Sequence, residues 1–270
     1  MKLALAQLSI EGGDVGGNVD RAAAAIESAA ADGADLVALP EIFNVGYFAF
    51  DLYARAAESL AGPTLARIRE VADENDVAVL AGSIVEDLGE TAAETDAPVP
   101  AERGLANTAV LFDCDGERLA VYRKHHLFGY GSREQELLTP GERLPVAEVA
   151  GFGVGITTCY DLRFPELYRG LVEAGATLVV VPSAWPYPRV EHWELLPRAR
   201  AVENQSYVAA VNGAGSFEDA TLLGRSTVFD PWGTVLAGAA DEPTVVTATL
   251  EPGRVDRVRE EFPALADRRG

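Results

Sequence analysis

The sequence predicts an α/β fold with two stacked, mixed β-sheets and a helical layer on one face of each sheet. Strand-like runs recur along the chain, and helical segments lie between several of them. This alternation occurs in the first half and again in the second, with hairpin-like strand pairs between, which is typical of mixed sheets. At 48% hydrophobic residues, the 270-residue chain can bury a substantial core. So many strands in one compact chain indicate two sheets rather than one.

Local patterns of apolar, turn and capping residues define the elements. An Asn start and a Gly stop bound an Ala-rich helix over 18–33, and Pro63 begins another helix over 63–76. Further helices are predicted over 164–174 and 190–203. The predicted strands are 2–9, 35–39, 77–84, 106–113, 117–122, 152–158, 177–182, 206–212, 225–230 and 244–250.

One stretch between these elements has no periodicity. Residues 86–104 are acidic and rich in Ala and Pro, which predicts an exposed loop. The sequence contains no other linker and no repeat of fixed period, so residues 1–270 are interpreted as one domain. The segment from about 255 onward is expected to be an extended tail or a contact to a second subunit.

The charge balance excludes two classes of partner. With 22 basic and 42 acidic residues the net charge is −20, which argues against nucleic acid and against anionic membrane surfaces. No apolar run is long enough for a transmembrane helix. Gln7 and Ser9 interrupt the apolar N-terminus, which therefore reads as a first strand rather than a signal peptide, and the protein is expected in the cytoplasm.

Lysine is almost absent. Lys2 and Lys124 are the only lysines in the sequence. Dispersed acidity with few lysines is typical of proteins from salt-loving organisms, where salt screens the self-repulsion; a genome of high G+C content is the alternative explanation. Because Arg cannot replace the compact ammonium group of Lys inside a tight site, Lys124 is a candidate functional residue.

Cys159 ends the apolar run "GVGITTC" and precedes a helix start at about 164. Ligand sites in α/β proteins lie beyond the carboxyl ends of strands, and a following helix favours a thiolate and a developing oxyanion. We therefore expect a reactive thiol that persists as a thiolate at mildly acidic pH. The alternative is a cysteine that is simply packed in the core. Cys114, in the turn "FDCDG", is interpreted as structural, and two cysteines without a CxxC pair form neither a disulfide framework nor a zinc ribbon.

A nucleophilic thiol needs a base. His125 and His126 are adjacent and cannot point the same way on a strand, which disfavours a metal site, and His192 lies in a predicted helix where packing is the default. Glu41 follows the buried strand "DLVALP", where partial desolvation would raise its pKa toward that of a general base. The alternative is a surface glutamate at a strand end. Lys124 ends another strand, where an ammonium group can hold an oxyanion.

These segments together resemble the nitrilase superfamily of carbon–nitrogen hydrolases. The resemblance is carried by "LPE" at 39–41, "YRKHHLF" at 122–128, "TTCYDLRFPEL" at 157–167, "HWELLPRARAVENQSYV" at 192–208 and "GRSTVFDPWGTVL" at 224–236. It implies a four-layer αββα sandwich that forms at least a homodimer across helices, without a metal or an organic cofactor. It also implies Cys159 as nucleophile, Glu41 as general base, Lys124 as oxyanion stabiliser and a second glutamate, Glu134, with Glu136 as the rival position.

The motifs "CYDLRFPEL", "RARAVENQ" and "PSAWPYPRVEHW" resemble the amidase branches of that superfamily, notably the ω-amidases. A small linear amide is then the expected substrate, with Tyr160 offering its backbone N–H to the oxyanion and Trp185 and Arg189 lining the acyl pocket. Arg189 would meet a substrate carboxylate or, alternatively, pair with Glu191 or Glu194 at the surface. Arg163 is expected to anchor its segment through a structural partner.

Three alternatives remain for the function. A nitrilase would use the same residues on a nitrile. A class I glutamine amidotransferase is disfavoured, because its cysteine is flanked by glycines and here Thr158 and Tyr160 flank Cys159. A non-enzymatic binding protein would be marked by a lost Glu, Lys or Cys, and none is lost.

Overall fold

The computed structural model describes residues 1–217 and 220–269, and two six-stranded sheets form its centre. The strands are β1 (Lys2–Gln7), β2 (Leu36–Ala38), β3 (Ala78–Asp87), β4 (Leu105–Phe112), β5 (Arg118–Arg123), β6 (Val146–Val149), β7 (Phe152–Ile156), β8 (Leu178–Ser183), β9 (Tyr207–Asn212), β10 (Ala214–Phe217), β11 (Ala220–Leu223), β12 (Thr227–Phe229), β13 (Val235–Gly238) and β14 (Thr244–Thr249). The α-helices are α1 (Val15–Ala31), α2 (Tyr53–Ala56), α3 (Pro63–Glu74), α4 (Leu88–Glu94), α5 (Glu134–Leu137), α6 (Pro165–Glu173), α7 (Val190–Asn204) and α8 (Arg254–Glu261).

Both sheets are mixed, and each is built around parallel strands. The first has the order β14-β1-β2-β3-β4-β5, with β1, β2 and β3 parallel. The second has the order β13-β12-β9-β8-β7-β6, with β7, β8 and β9 parallel. In each sheet the remaining neighbours pair antiparallel. Strands β10 and β11 form a separate two-stranded ribbon.

Successive side chains along each strand point to opposite faces of the sheet, and this alternation produces the layers. Leu3 and Leu5 of β1 face the second sheet and pack with its Val180, whereas Ala4 and Ala6 face the opposite way toward α1 and α3. In the second sheet the outward-facing side chains pack against α6 and α7. The four layers αββα that the resemblance implies are therefore confirmed.

The structure corrects the predicted start of the first helix. Helix α1 begins at Val15, three residues before Asn18, because the Asp14 side chain caps it by accepting from Gly17 N–H at 3.2 Å. The Asn18 side chain instead bonds the backbone of Glu11 and Asn44. Gly16 and Gly17 weaken the helical pattern in the sequence and hide this turn.

The exposed loop predicted over 86–104 is wrong in part. It contains α4, whose start is capped by the Asp87 carboxylate and which buries Leu88 and Thr91 completely. Two buried residues in a helix of 7 residues are too few to produce a visible periodicity. The segment from 255 is not extended, since α8 covers 254–261 and packs Val255 and Val258 against the sandwich.

Other predicted elements agree closely with the structure, although the helices α2 and α5 and the strands β6, β10, β11 and β13 were not predicted. Each of those four strands has only 4 residues. Cys114 lies in the β4–β5 turn, and both cysteines are free. Within residues 1–217 and 220–269, no helix combines the length and the apolar character that a membrane crossing requires.

Candidate active site

The candidate residues come from strand ends on both sheets. Glu41 follows β2 and Lys124 follows β5 in the first sheet, and Cys159 follows β7 in the second. The three side chains interact electrostatically with one another, and Lys124 and Cys159 line a cavity of about 250 Å³. Such an opening beyond strand ends is where α/β folds place their ligands.

Lys124 is held between two glutamates. Its Nζ donates to Glu41 Oε1 at 2.8 Å and to the two carboxylate oxygens of Glu134 at 2.8 and 2.9 Å, and only 1% of its side chain is exposed. Burial on its own would lower the pKa of Lys124, but the negative charges of Glu134 and Glu41 outweigh it and raise the pKa well above the usual value. The group is therefore a permanent cation at the cavity wall.

Glu41 is fully buried and accepts three hydrogen bonds. Lys124 Nζ and Asn107 Nδ2 donate to Oε1, each at 2.8 Å, and the backbone N–H of Ala184 donates to Oε2 at 2.9 Å. Burial raises the pKa of Glu41, the nearby Lys124 charge partly opposes the rise, and the Glu134 charge adds to it. A carboxyl group with a raised pKa can both take and return a proton, as general acid–base chemistry requires.

Cys159 begins a 3-10 turn, Cys159–Arg163, in a strained backbone conformation. Its φ of 47° lies in the left-handed region, which residues other than glycine rarely adopt. The Cys159 side chain is largely buried. Burial and the Glu41 charge raise the pKa of Cys159 well above the ordinary thiol value, against the opposing effects of Lys124 and the Ala184 N–H. The prediction of a thiolate at mildly acidic pH is therefore wrong for the resting protein. The sequence does not reveal how completely the fold removes this thiol from water.

The second glutamate of the cluster is Glu134 rather than Glu136. Besides Lys124, Glu134 accepts from the backbone N–H of Phe128 at 2.7 Å and from Asn107 Nδ2 at 3.1 Å. Glu136 is exposed and faces Arg133. Sequence reasoning missed Asn107, which bonds both glutamates of the cluster. The available signal was a polar side chain inside the apolar strand "LANTAVLF".

Tyr160, Trp185 and Arg189 all line the cavity. The Arg189 guanidinium lies over the Phe128 ring, with 5.6 Å to the ring centroid. Neither predicted surface pair of Arg189 is present among the described residues, since Glu194 pairs with Arg225 and Glu191 is in no ion pair.

Arg163 has structural partners, as expected, with its guanidinium 5.1 Å from the Trp185 ring centroid and its Nη2 3.1 Å from His192 Nδ1. It also lines the cavity, which was not expected. Among residues 1–217 and 220–269 no carboxylate lies within ion-pair distance of Arg163 or Arg189. The two guanidinium groups thus give one side of the cavity an uncompensated positive charge. In the same described ranges, no group of three or more His, Cys, Asp or Glu side chains could hold a metal ion.

Several known proteins are similar to this chain in sequence. A family model described as carbon-nitrogen hydrolase matches residues 2–260. A relative from Paenarthrobacter nicotinovorans, 2-oxoglutaramate amidase, is 39% identical over 240 residues, which cover 87% of this chain and 79% of that protein. The omega-amidase NIT2 of Homo sapiens is 36% identical over 277 residues, which cover 99% of this chain and 95% of that protein.

One solved structure is similar in fold and carries an adduct at its active site. It is a mutant of the amidase from Nesterenkonia sp. AN1, with the acetamide moiety of fluoroacetamide added covalently at the active-site cysteine. The two chains are 30% identical with a TM-score of 0.82, and the match covers 100% of this chain and 94% of that one. From the family match, the two relatives and this structure together, the chain belongs to the carbon–nitrogen hydrolase family, within the nitrilase superfamily that its sequence resembles.

Proposed function

We propose that the protein is an amidase that hydrolyses a small linear amide through a thioester on Cys159 and releases ammonia. The observation that carries the proposal is the cluster of Glu41, Lys124, Glu134 and Cys159, of which Lys124 and Cys159 line the cavity. It unites a nucleophile, a carboxyl group with a raised pKa and a permanent cation, which are the parts that acyl transfer needs.

In the first half-reaction, Glu41 takes the thiol proton while Cys159 Sγ bonds to the amide carbon. The Lys124 ammonium and the backbone N–H of Tyr160 stabilise the oxygen anion that forms. When the anion collapses, the C–N bond breaks, Glu41 returns the proton to the leaving nitrogen, and ammonia departs. The protonated resting thiol fits this sequence, because proton removal accompanies attack.

In the second half-reaction, Glu41 takes a proton from water as the water oxygen bonds to the thioester carbon. Collapse of this second anion breaks the C–S bond, and the thiolate is reprotonated from Glu41 while the carboxylic acid product leaves. Glu134 contributes by balancing the Lys124 charge, so that Glu41 remains free to exchange a proton.

The substrate is proposed to be an amide that also carries a carboxylate. Arg163 and Arg189 supply two guanidinium groups to the cavity without an acidic partner among the described residues, and a substrate carboxylate would satisfy either one through paired hydrogen bonds. The relatives named 2-oxoglutaramate amidase and omega-amidase support this class.

Ammonia release tests the proposal. We expect turnover of 2-oxoglutaramate by the wild-type protein and by Cys114→Ala, and none by Cys159→Ala. Cys114 is the matched control because it is the only other cysteine and lies away from the cavity. The same panel includes short uncharged amides and nitriles. If wild type and Cys159→Ala are equally inert on every compound, the protein is no hydrolase of this kind, and faster turnover of nitriles than of amides would make it a nitrilase.

A homodimer is also proposed, and an exposed apolar patch supports it. Leu195 and Val202 are exposed on α7, and Val202 lies against Gly233. The neighbouring residue Trp232 is also exposed, as is Phe262, and their ring centroids are 5.9 Å apart. A second copy of the chain would remove this patch from water. Light scattering should report a dimer for the wild type and for Leu119→Glu, a matched exposed position, but a monomer for Val202→Glu. A monomeric wild type would exclude the dimer.

We further propose one domain over 1–270, a cytoplasmic location and adaptation to high salt. The match of the family over residues 2–260 supports the first. The two free thiols fit a reducing compartment such as the cytoplasm. The net charge of −20 fits a salt-rich solvent, in which the repulsion between acidic side chains is screened.

A further inference from the structure

The Asp161 carboxylate joins the two chain segments that carry Lys124 and Cys159. It is completely buried and accepts four hydrogen bonds. Oδ1 accepts from the backbone N–H of His126 at 3.0 Å and from its ring Nδ1 at 2.9 Å. Oδ2 accepts from the Tyr122 hydroxyl at 2.5 Å and from the backbone N–H of Thr158 at 3.0 Å.

The donors to Asp161 lie next to Lys124 and Cys159 in the chain. Tyr122 and His126 stand two residues before and two residues after Lys124, and Thr158 directly precedes Cys159. One carboxylate therefore ties the chain on both sides of the ammonium group to the strained turn that presents the sulfur. Because a misplacement of about 1 Å at a reacting centre can cost a factor of about 100 in rate, such a tie affects turnover directly.

His126 is the member of this arrangement with the weakest packing. Its side chain is 34% exposed, it does not line the cavity, and its ring lies flat on Phe164 with 3.5 Å between centroids. The other donors to Asp161 are backbone groups or a fully buried hydroxyl. The ring Nδ1 must donate here, since the oxygen that it meets is a carboxylate oxygen.

We propose that His126 is a positioning residue that, through Asp161, fixes the Lys124 ammonium relative to the Cys159 sulfur. The proposal rests on the proposed function, because its main readout is amide turnover. It assigns His126 no contact with substrate. The competing explanation is that the ring only stacks on Phe164 and stabilises the fold.

Two substitutions separate the hydrogen bond from the stack. His126→Asn keeps an N–H donor at the Nδ1 position and loses the stack, whereas His126→Phe keeps the stack and loses the donor. We expect kcat of His126→Phe to fall about 10- to 100-fold with KM almost unchanged, and His126→Asn to retain most of the activity. His125→Phe is the matched control. His125 is the neighbouring histidine, it stacks on Tyr122, and its Nδ1 has no hydrogen-bond partner among the described residues, so its kcat should stay near wild type.

A second variant and a second readout keep the proposal testable if His126→Phe does not fold. Tyr122→Phe removes another donor to Asp161 while keeping its ring, and it should lower kcat in the same way. The rate at which iodoacetamide alkylates Cys159 is the second readout, and alkylation of Cys114 serves as the internal reference. This rate should change in His126→Phe and stay unchanged in His126→Asn. This readout needs no turnover, so an inactive wild type would reject the proposed function and still leave the positioning role measurable.

Three results would overturn the proposal: full kcat in both His126→Phe and Tyr122→Phe, a larger loss in His126→Asn than in His126→Phe, or an equal loss in His125→Phe.

Discussion

Replacement of Lys124 by Met removes one charge and leaves the volume of the side chain nearly unchanged. In the native cluster the ammonium group makes three hydrogen bonds to two fully buried carboxylates. After the substitution, Glu41 and Glu134 would share only Asn107 Nδ2 as a common donor, at 2.8 and 3.1 Å. Two buried carboxylates would then face each other without a cation.

In the proposed mechanism, Lys124→Met loses one stabiliser of the oxygen anion, and the cost to catalysis follows from that loss. Removing a single donor of this kind lowers kcat by a factor of about 10² to 10³. The loss in Lys124→Met should reach at least the upper end of this range, because the pKa of Glu41 also rises when the neighbouring positive charge is gone. A carboxyl group that holds its proton too firmly is a poor base for the Cys159 thiol.

The loss of stability in Lys124→Met depends on pH, and the direction of this dependence follows from the raised pKa of Glu41. Breaking a buried ion pair by removing one partner costs about 3–5 kcal/mol. A glutamate whose pKa is higher in the folded than in the unfolded protein stabilises the fold below its unfolded value of 4.5, and this contribution is lost as the pH rises through the folded pKa. The stability deficit of Lys124→Met should therefore be small near pH 4.5 and grow by about 1.4 kcal/mol per pH unit for each extra proton that the folded variant holds.

Urea unfolding at several pH values measures this deficit, and ammonia release measures the loss of kcat. Lys2→Met is the matched control, since Lys2 is the only other lysine and is not part of the cluster. A deficit of the Lys124→Met variant that stays constant from pH 5 to pH 8, or a kcat within tenfold of wild type, would contradict the reasoning.

Three further predictions concern parts of the molecule around the site. Glu86→Ala should lower the free energy of unfolding by about 3–5 kcal/mol in urea titrations. The substitution leaves buried Arg123 without the carboxylate to which it donates at 2.6 and 2.7 Å. A loss below 1 kcal/mol would show that the pair is dispensable. Asn212→Leu should raise KM and lower stability by about 1–3 kcal/mol, since the Asn212 side chain holds both the N–H and the C=O of Trp185 in the cavity wall; an unchanged KM would separate Asn212 from the site. Dialysis from molar to low salt should lower the melting temperature, because the net charge of −20 is then unscreened, and an unchanged melting temperature would count against adaptation to salt.

The sequence was sufficient for residues whose position follows from strand ends. Glu41, Lys124 and Cys159 each follow an apolar run, and strand ends of two stacked sheets meet at a common edge. The long strands and helices were also predictable, because their apolar periodicity is strong. Short elements such as α4 and the four-residue strands bury too few side chains to leave a pattern.

What the sequence could not supply depends on contacts between distant segments. Glu134 and Glu136 have the same composition around them, and only the direction in which the turn presents each side chain separates them. The raised pKa of Cys159 reflects the degree of burial, which is a property of the whole fold. Asn107 bonds both glutamates of the cluster, and Asp161 bonds the chain beside Lys124 and beside Cys159. These contacts join segments that are far apart in the sequence, and no local pattern encodes them.

The division of the cluster between the two sheets has a consequence for refolding. The ammonium group and Glu41 follow strands of the first sheet and the sulfur follows a strand of the second, so neither half of the sandwich contains the whole cluster. A slip of one sheet past the other by a single residue, about 3.3 Å, would separate the sulfur from its partners while leaving every strand intact. Recovery of enzyme activity during renaturation therefore reports when the two sheets dock. It should lag behind the return of the circular dichroism signal, which reports the strands and helices.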